Sequence, residues 1–207
     1  MPKNRYYYEP TLGHGLAHDP LSAIIGPRPI GWISSVNGQG QRNLAPYSFF
    51  NCFNYQPPII GFSSIGFKDS VQNILETKEF VWNLATRDLA VQMNETSATV
   101  PRGEDEFMRA GLTAVIGKKV QAALVGESPV NFECRLSQCI QLTAANGDLI
   151  DSWLILGEVV AVHIDEWLLK DGIYQTTLAK PILRAGGLSA YYGIDETQRF
   201  DISRPSI

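Results

Sequence analysis

The stretch N-L-A-P-Y-S-F-F-N, residues 43–51, combines features that neither a plain strand nor a plain loop would carry. It is apolar and aromatic, yet Pro46 lies in its middle, and proline donates no hydrogen bond to a sheet ladder. A surface loop would not concentrate Tyr47, Phe49 and Phe50 so closely. The combination predicts a segment that leaves a sheet, lines a pocket with flat apolar faces and offers a few polar atoms to a ligand.

The composition around this stretch is that of one globular domain with a sizeable core. The chain has 207 residues, of which 44% are hydrophobic and 18% charged. The net charge is -4 and there is no Lys/Arg-rich run, so we expect no nucleic-acid partner. No apolar run is long enough for a membrane span, and the N-terminus lacks a signal-peptide pattern. Cys52, Cys134 and Cys139 form no C-x-x-C pair, which predicts reduced thiols and a cytoplasmic protein.

The first 27 residues show little periodicity and are predicted to be an irregular lead-in, because prolines and glycines interrupt them. His14 and His18 are four residues apart, a spacing that could bind a metal on a helix. Gly13 and Gly15 argue against a helix there, so we predict no metal site.

Several short strands are predicted in the first half. Residues 28–36 alternate with period two, and the turn signal N-G-Q-G at 37–40 predicts that residues 41–46 return antiparallel. Residues 59–64 give another short strand that ends in two serines, and residues 80–84 give one more.

Two or three helices are predicted in the middle of the chain. Residues 69–78 place apolar side chains at helical spacing. Thr86 is predicted to be the N-cap of a second helix that contains Leu89, Ala90 and Met93. Residues 104–106, E-D-E, are predicted to open a short, solvated helical turn.

The second half predicts β structure. Apolar and polar residues alternate over 131–142, which predicts a half-buried antiparallel strand with Asn131 and Glu133 on the solvent side. Asn146-Gly147 predicts a hairpin into 153–164, which is apolar on both faces and should lie centrally. Strands joined by hairpins favour an antiparallel barrel with helical excursions over a doubly wound sheet. We assign residues 28–194 to the barrel and residues 195–207 to a polar tail.

The residues offer few candidates for chemistry without a cofactor. No dinucleotide-binding glycine motif, P-loop or G-x-S-x-G motif occurs. The best positive signal is Ser63-Ser64 followed by Lys68-Asp69-Ser70 at a helix start, because hydroxyls, an ammonium and helix N–H groups can bind a phosphate. Alternatively, Asp69 or Ser70 merely caps the helix. The aromatic stretch 43–51 likewise fits either a wall around a planar heterocycle or an aromatic core with its serines turned outward.

A series of motifs together resembles the flavin reductase-like family from about residue 28 to residue 192. The motifs are R-P-I-G-W-I-S-S-V (28–36), N-L-A-P-Y-S-F-F-N (43–51), P-P-I-I-G-F-S-S (57–64), K-D-S-V-Q-N-I (68–74), F-V-W-N-L-A (80–85), D-E-F-M-R-A-G-L (105–112), F-E-C-R-L (132–136), G-E-V-V-A-V-H-I (157–164) and R-A-G-G (184–187). The resemblance implies a mainly β, FMN-binding split-barrel fold, that is, an antiparallel Greek-key barrel with peripheral helices. It also implies a homodimer with FMN, or FAD, near the subunit interface.

The resemblance further implies which residues bind the flavin. The first barrel strand would lie along the isoalloxazine ring, residues 45–51 around the ring and ribityl chain, and residues 63–70 around the phosphate. The late R-x-G-G and tyrosine motif would lie near the flavin, although the spacing to the tyrosine is looser here. The expected set is Trp32, Ser34, Ser35, Ala45, Pro46, Tyr47, Ser48, Phe49, Asn51, Ser63, Ser64, Lys68, Asp69, Ser70, Gly186, Gly187 and Tyr191. His163 matches a late histidine that some members use near the nicotinamide, or it is structural.

Three functional hypotheses follow. In the first, an NAD(P)H-dependent flavin reductase passes a hydride to flavin N5 in a pocket lined by Trp32, Tyr47 and Phe49, with no catalytic side chain required. The electrons then pass to a monooxygenase partner or another acceptor. The second is a non-catalytic FMN-binding electron carrier or flavin store. The third is a split-barrel protein for pyridoxal phosphate or haem, which the 43–51 pattern favours less than flavin. The sequence contains no nicotinamide-binding element that we can identify.

Overall fold

The lead-in to the barrel contains little regular structure in this computed structural model, which describes residues 4–205. A 3₁₀ turn at Pro10–Leu12 and the one-turn helix α1 at Leu21–Ile24 are its elements. Residues 13–19 form no helix, and the backbone N–H of Leu16 donates to Nδ1 of His14. His14 and His18 therefore do not share the face of a helix.

Antiparallel β structure forms the body of the molecule. The strands are β1 (Gly31–Val36), β2 (Arg42–Tyr47), β3 (Phe50–Tyr55), β4 (Pro58–Ile65), β5 (Glu79–Asn83), β6 (Ala114–Val115), β7 (Leu124–Val125), β8 (Val130–Thr143), β9 (Leu149–Ile164), β10 (Leu169–Lys170), β11 (Ile173–Tyr174), β12 (Ile182–Arg184) and β13 (Tyr191–Gly193). Seven of them form one sheet in the order β2-β1-β5-β8-β9-β4-β3. The β6–β7, β10–β11 and β12–β13 pairs form three small ribbons.

The two end strands of the large sheet are neighbours in the chain. Only Ser48 and Phe49 separate β2 from β3, and the backbone N–H of Ser63 donates to the carbonyl of Phe49 over 2.8 Å. Because consecutive strands occupy opposite ends of the sheet, the sheet must curl until those ends meet, which makes it a barrel. The prediction that the stretch 43–51 simply leaves the sheet was incomplete, because residues 50–55 form β3. Pro46 is tolerated in β2 because β2 is an end strand.

Three helices follow β4 in the chain. They are α2 (Asp69–Thr77), α3 (Ala90–Glu95) and α4 (Glu106–Arg109). The predicted position of α2 is confirmed, and its Val71 and Ile74 are fully buried in the barrel core. The predicted N-cap for α3 was wrong: Leu89 precedes the helix, while Thr86 forms a β-bridge with Pro181.

The core inside the barrel packs around aromatic side chains. Phe62 and Phe80 are fully buried, with ring centroids 5.9 Å apart and nearly perpendicular rings. Gly157 on β9 makes room for this arrangement, since a Cβ built there would lie 2.3 Å from the Phe80 ring. A second cluster, which includes Trp32, Met93 and Phe107, packs α3 and α4 against the sheet.

The hairpin of β8 and β9 is the longest in the fold. The predicted turn and the interior position of β9, between β8 and β4, are confirmed. The predicted solvent side of β8 is confirmed at Arg135 and Ser137, which are exposed, but it was wrong for Asn131 and Glu133, which are 6% and 0% exposed. The segment that connects β6 to β7 covers this face, and its backbone binds Glu133.

Candidate functional site

A cavity of about 290 Å³ opens between β2, the start of α2, the loop that follows α3 and the start of α4. Each element contributes a different chemistry. Strand β2 contributes an apolar wall with one tyrosine, and α2 contributes a helix N-terminus. The loop contributes small and hydroxyl side chains, and α4 contributes a carboxyl. The lining residues are Asn43, Ala45, Pro46, Tyr47, Lys68, Asp69, Ser70, Thr96, Ser97, Ala98, Thr99, Val100 and Glu106. The cavity therefore brings together six of the predicted residues, namely Ala45, Pro46, Tyr47, Lys68, Asp69 and Ser70.

The α2 end of the cavity has the features of an anion site. Lys68 occupies the N-cap position, and no side chain caps the helix, so the capping role considered for Asp69 or Ser70 is not observed. The N–H groups of a first turn need such partners and carry partial positive charge. Lys68 forms no ion pair within residues 4–205. One ammonium and an uncapped helix start thus lie together at this end.

Tyr47 is a buried tyrosine in the wall that β2 contributes to the cavity. Beside it, Asn43 Nδ2 donates to Ser70 Oγ over 2.9 Å. Burial raises the pKa of Tyr47. Tyr47 is therefore a neutral, buried side chain at the cavity, and its ring packs in the barrel core with its centroid 4.5 Å from that of Phe62.

Glu106 is a buried carboxyl in this cavity. Its side chain belongs to a residue that is 5% exposed, and Oε2 accepts a hydrogen bond from the backbone N–H of Leu44 over 3.0 Å. Burial raises its pKa, and the nearby Asp105 and Asp69 add to the rise against the backbone hydrogen bonds, which lower it. The prediction of a solvated turn was therefore wrong for Glu106.

Arg102 fixes the loop that forms one wall of the cavity. Its guanidinium lies 3.1 Å from Asp69 Oδ1 and 3.5 Å from Glu76 Oε1, at opposite ends of α2. Gln72 and Asn73 accept further hydrogen bonds from it. One side chain thus spans the outer face of α2 and ties the loop to the helix.

Three predicted residues on β1 do not line the cavity. Trp32 is fully buried, and its Nε1 donates to Thr96 Oγ1 over 3.0 Å. Ser34 Oγ donates to the carbonyl of Ala123, and Ser35 Oγ accepts from Asn73 Nδ2 over 3.3 Å. These polar groups are already satisfied by the protein.

The hydroxyls of Ser63 and Ser64 are also engaged internally. Ser64 Oγ donates to the carbonyl of Gly66 over 2.9 Å, and Ser63 Oγ lies 3.1 Å from Ser152 Oγ on β9. Asn51 is exposed on β3, where its Oδ1 accepts from the N–H of Cys52 over 2.8 Å. None of the three lines the cavity.

The remaining predicted residues surround a pair of arginines. Arg28 and Arg184 exchange backbone hydrogen bonds of 2.9 and 2.8 Å. Arg28 Nε donates to the carbonyl of Ser48, and its guanidinium lies 5.4 Å from the centroid of the Phe49 ring. The Arg184 guanidinium lies 5.0 Å from the centroid of the Tyr191 ring.

The R-A-G-G motif is held by hydrogen bonds from Arg184, its own first residue. Arg184 donates hydrogen bonds to the carbonyls of Gly187, Leu188 and Ala190. Gly186 contacts helix α1, since a Cβ built on it would lie 2.3 Å from Ala23 Cβ. This motif therefore joins the lead-in to the end of the barrel.

The pocket expected between Trp32, Tyr47 and Phe49 is not observed in the described residues, 4–205. Tyr47 lines the cavity, whereas Trp32 and Phe49 do not.

His163 lies away from the cavity and contacts a buried carboxylate. Its Nε2 is 2.7 Å from Glu133 Oε1, and the N–H groups of Lys118, Lys119 and Val120 also donate to Glu133. Burial raises the pKa of Glu133, but these hydrogen bonds outweigh it and lower the pKa to about 2. In this structure His163 on β9 contacts Glu133 on β8, and Glu133 in turn binds the backbone of the loop at 118–120.

Residues 4–205 contain no group of three or more His, Cys, Asp or Glu side chains arranged to hold a metal ion. Within the same range no helix has the length and apolar character needed to cross a bilayer. Cys52, Cys134 and Cys139 are free thiols.

The barrel defines a split-barrel protein, and its candidate site is the cavity between the end strand β2 and helix α2. The sequence model described as the flavin reductase like domain matches residues 26–180, and the chain belongs to that family. Membership makes it a flavin-related oxidoreductase, and the predicted family and fold class are confirmed.

Individual relatives match most of the chain. The uncharacterized protein YwrF of Bacillus subtilis is 32% identical over 192 residues, covering 90% of this chain and 92% of that protein. The crystal structure of nitrilotriacetate monooxygenase component B from Bacillus cereus has a TM-score of 0.80 at 31% identity, covering 88% of this chain and 91% of that one. The 2-nitrobenzoate 2-nitroreductase NbaA of Pseudomonas fluorescens has a TM-score of 0.77 at 26% identity, covering 89% and 88%.

Several cavity residues were missed from the sequence. Asn43 begins the stretch that was singled out, but it was not named as a site residue. The run T-S-A-T at 96–99 is small and hydroxyl-rich directly after a helix, which is a signal for a ligand-lining loop. Glu106 gave no local signal, and neither did Arg102, which lies outside the cavity lining, because both contact partners far away in the sequence.

Proposed function

We propose that this chain is an FMN-dependent oxidoreductase that accepts a hydride from NAD(P)H and passes the electrons to a partner or acceptor. The observation that carries the proposal is the cavity beside β2, with Lys68 and the uncapped start of α2 at one end and Pro46 and Tyr47 along the wall. An ammonium and helix N–H groups suit a phosphate, and flat apolar faces suit a ring system.

The residues present fit FMN in particular. Lys68, Ser70 and the first turn of α2 would hold the phosphate, and Ala45, Pro46 and Tyr47 would contact the remainder of the ligand. When bound, the flavin supplies the redox chemistry, because its ring accepts electrons as a pair and can release them one at a time. The protein orients the ligand, and the 96–100 loop shields it from water.

The similar proteins support a role in electron delivery. One of them is component B of a monooxygenase and another is a nitroreductase, so both belong to redox systems by their names. We therefore propose a monooxygenase, or another electron acceptor, as the partner of this chain.

We further propose that two copies of the chain form a homodimer through the outer face of β3. This end strand exposes Phe53 by 54% and Tyr55 by 85%, and Phe49 immediately before it is 40% exposed. Large apolar side chains grouped at a strand edge are typical of an interface. Sedimentation equilibrium tests the proposal: a single species of twice the chain mass is expected, and Phe53→Asp with Tyr55→Asp should shift it to the monomer.

Anaerobic absorbance titration tests the catalytic proposal. The protein is loaded with FMN and titrated with NADH and then NADPH while the flavin band is followed. Rapid bleaching by either nucleotide supports the reductase and identifies the preferred donor. Binding of FMN without bleaching by either nucleotide would favour an electron carrier or flavin store, and failure to bind FMN would refute the site.

A further inference from the structure

The charges around the cavity pose a specific problem for a phosphate. Lys68 lines the cavity together with two carboxyls, Asp69 and Glu106. Asp69 is paired with Arg102 at 3.1 Å, whereas Glu106 has no ion pair within residues 4–205. An ionised Glu106 would therefore offset the charge of Lys68 and leave the cavity without net attraction for an anion.

The groups near Glu106 do not relieve this problem. From β2 the neutral Tyr47 faces it, and from α2 it faces Lys68 and the paired Asp69. On its own element the neighbouring Asp105 lies 3.4 Å from Arg42 and accepts N–H bonds at the helix start. Asp69 and Asp105 are thus each paired with an arginine. Glu106 is therefore the carboxyl whose protonation state decides the net charge of the cavity.

The position of Glu106 leaves one carboxyl oxygen available to a ligand. Oε2 is held by the backbone N–H of Leu44, and among residues 4–205 no other residue donates a hydrogen bond to Oε1. The residue is 95% buried, being 5% exposed, and it lines the cavity. A neutral carboxyl has one O–H donor in addition to its acceptor oxygen, so it could keep the bond from Leu44 and donate to the ligand.

We propose that the cavity takes up a phosphate monoester together with one proton, which Glu106 carries and donates as a hydrogen bond to a phosphate oxygen. The proton comes from the solvent or its buffer and forms the O–H bond of the carboxyl, and no other covalent bond changes. The inference deepens the proposed function, since it assumes that the cavity is the FMN phosphate site. It makes Glu106 a specificity-determining residue for the phosphorylated form of the flavin.

The proposal predicts the sign of a pH effect. Burial already raises the pKa of Glu106 in the free protein, and an adjacent phosphate dianion would raise it further. Between these two pKa values binding takes up a proton, so affinity falls as the pH rises, by up to about tenfold per pH unit. Riboflavin lacks the phosphate and should show no such dependence.

The test compares FMN with riboflavin between about pH 7 and pH 9, where the phosphate is already a dianion because its second pKa is about 6. Flavin fluorescence gives the dissociation constants for the wild type, for Glu106→Gln and for the control Glu104→Gln. Glu104 is an exposed residue two positions earlier that is paired with Arg109 outside the cavity. We expect FMN affinity to fall with pH in the wild type and in Glu104→Gln, and to stay constant in Glu106→Gln.

A second measurement needs no variant. Calorimetric titration of the wild type with FMN in two buffers of different ionisation enthalpy should show uptake of up to one proton, and titration with riboflavin should show none. An FMN affinity that does not change with pH, or a pH dependence that survives in Glu106→Gln, would overturn the role of Glu106. Absence of binding by both flavins would instead refute the proposed function.

Discussion

Arg102 lies 3.1 Å from Asp69 and thereby joins the loop that forms one wall of the cavity to the first turn of helix α2. The pair has two consequences for an anionic ligand. It neutralises a carboxylate beside the expected phosphate position, and it keeps the loop in place as a wall.

Replacing Arg102 by alanine should therefore weaken FMN more than riboflavin. Because the pair is partly exposed, with side-chain exposures of 38% and 35%, its electrostatic effect should be modest, about 1 kcal/mol or roughly fivefold in the dissociation constant. A double-mutant cycle with Asp69→Asn provides the control. If Asp69→Asn does not reduce the effect of Arg102→Ala on FMN, neutralisation of Asp69 is not the role of Arg102.

Lys68→Ala should weaken FMN by about 10- to 100-fold, because a hydrogen bond to a charged group contributes about 1.5–3 kcal/mol. Riboflavin should lose little affinity, since it lacks the phosphate. The measurement is a fluorescence titration of both ligands, with Lys170→Ala as the control at an exposed lysine on β10. Equal losses for the two ligands would remove the phosphate role of Lys68.

Glu133→Gln should destabilise the fold by about 2–3 kcal/mol. The amide would place an N–H₂ group or a weaker acceptor against three backbone N–H donors, so that buried donors lose their partner. Urea denaturation at pH 7 measures the effect, and Glu158→Gln on the exposed side of β9 is the control, expected to change stability by less than about 0.5 kcal/mol. A loss no larger than that of the control would contradict the anchoring role of Glu133.

The same carboxylate predicts an acid-labile loop. Its pKa is lowered from the ordinary value of 4.5 to about 2 in the folded protein. A depressed pKa contributes stability above the unfolded value, and that stability is lost as the pH falls from about 4.5 toward 2. Wild-type stability should therefore fall more steeply over this range than that of Glu133→Gln, as denaturation at several pH values would show. Parallel curves would contradict the prediction.

Gly186→Ala should displace helix α1 from the end of the barrel. The added methyl would lie 2.3 Å from Ala23 Cβ and 2.7 Å from its Cα, closer than atoms can pack. Limited proteolysis should show faster cleavage before residue 28, with a loss of stability of about 1–3 kcal/mol. The control is Gly193→Ala on β13, where a Cβ meets nothing within 4 Å. Unchanged proteolysis in Gly186→Ala would show that the lead-in does not depend on this contact.

Local patterns predicted the hairpins, helix α2 and the interior position of β9, because each depends on turn residues or periodicity within a few positions. Burial of Glu133 escaped prediction for the opposite reason. Alternation along β8 places it on the solvent side, and only the chain segment at 118–120 turns that side into an interior. The information for its burial is therefore spread over two distant segments.

For the site too, residues in continuous motifs were predicted, whereas residues that depend on distant partners were not. Residues 45–47 and 68–70 were identified from motifs that are continuous in the sequence, and they meet in one cavity. Glu106 belongs to an acidic run that normally faces water, and its burial depends on Leu44, which is 62 positions away. Trp32, Ser34 and Ser35 were predicted from a continuous motif too, but folding directs them into internal hydrogen bonds instead of the cavity.

The junction at Ser48 and Phe49 gives the barrel a seam, since the two ends of its sheet meet there without a continuous ladder between β2 and β3. The candidate cavity lies against β2, one of the two strands at that seam. A ligand seated there would suppress local opening of the strand, so amide hydrogen exchange around residues 44–50 should slow on loading by more than it does in the β8–β9 hairpin. Occupancy by the cofactor would therefore slow both the proteolysis and the thermal unfolding of the chain.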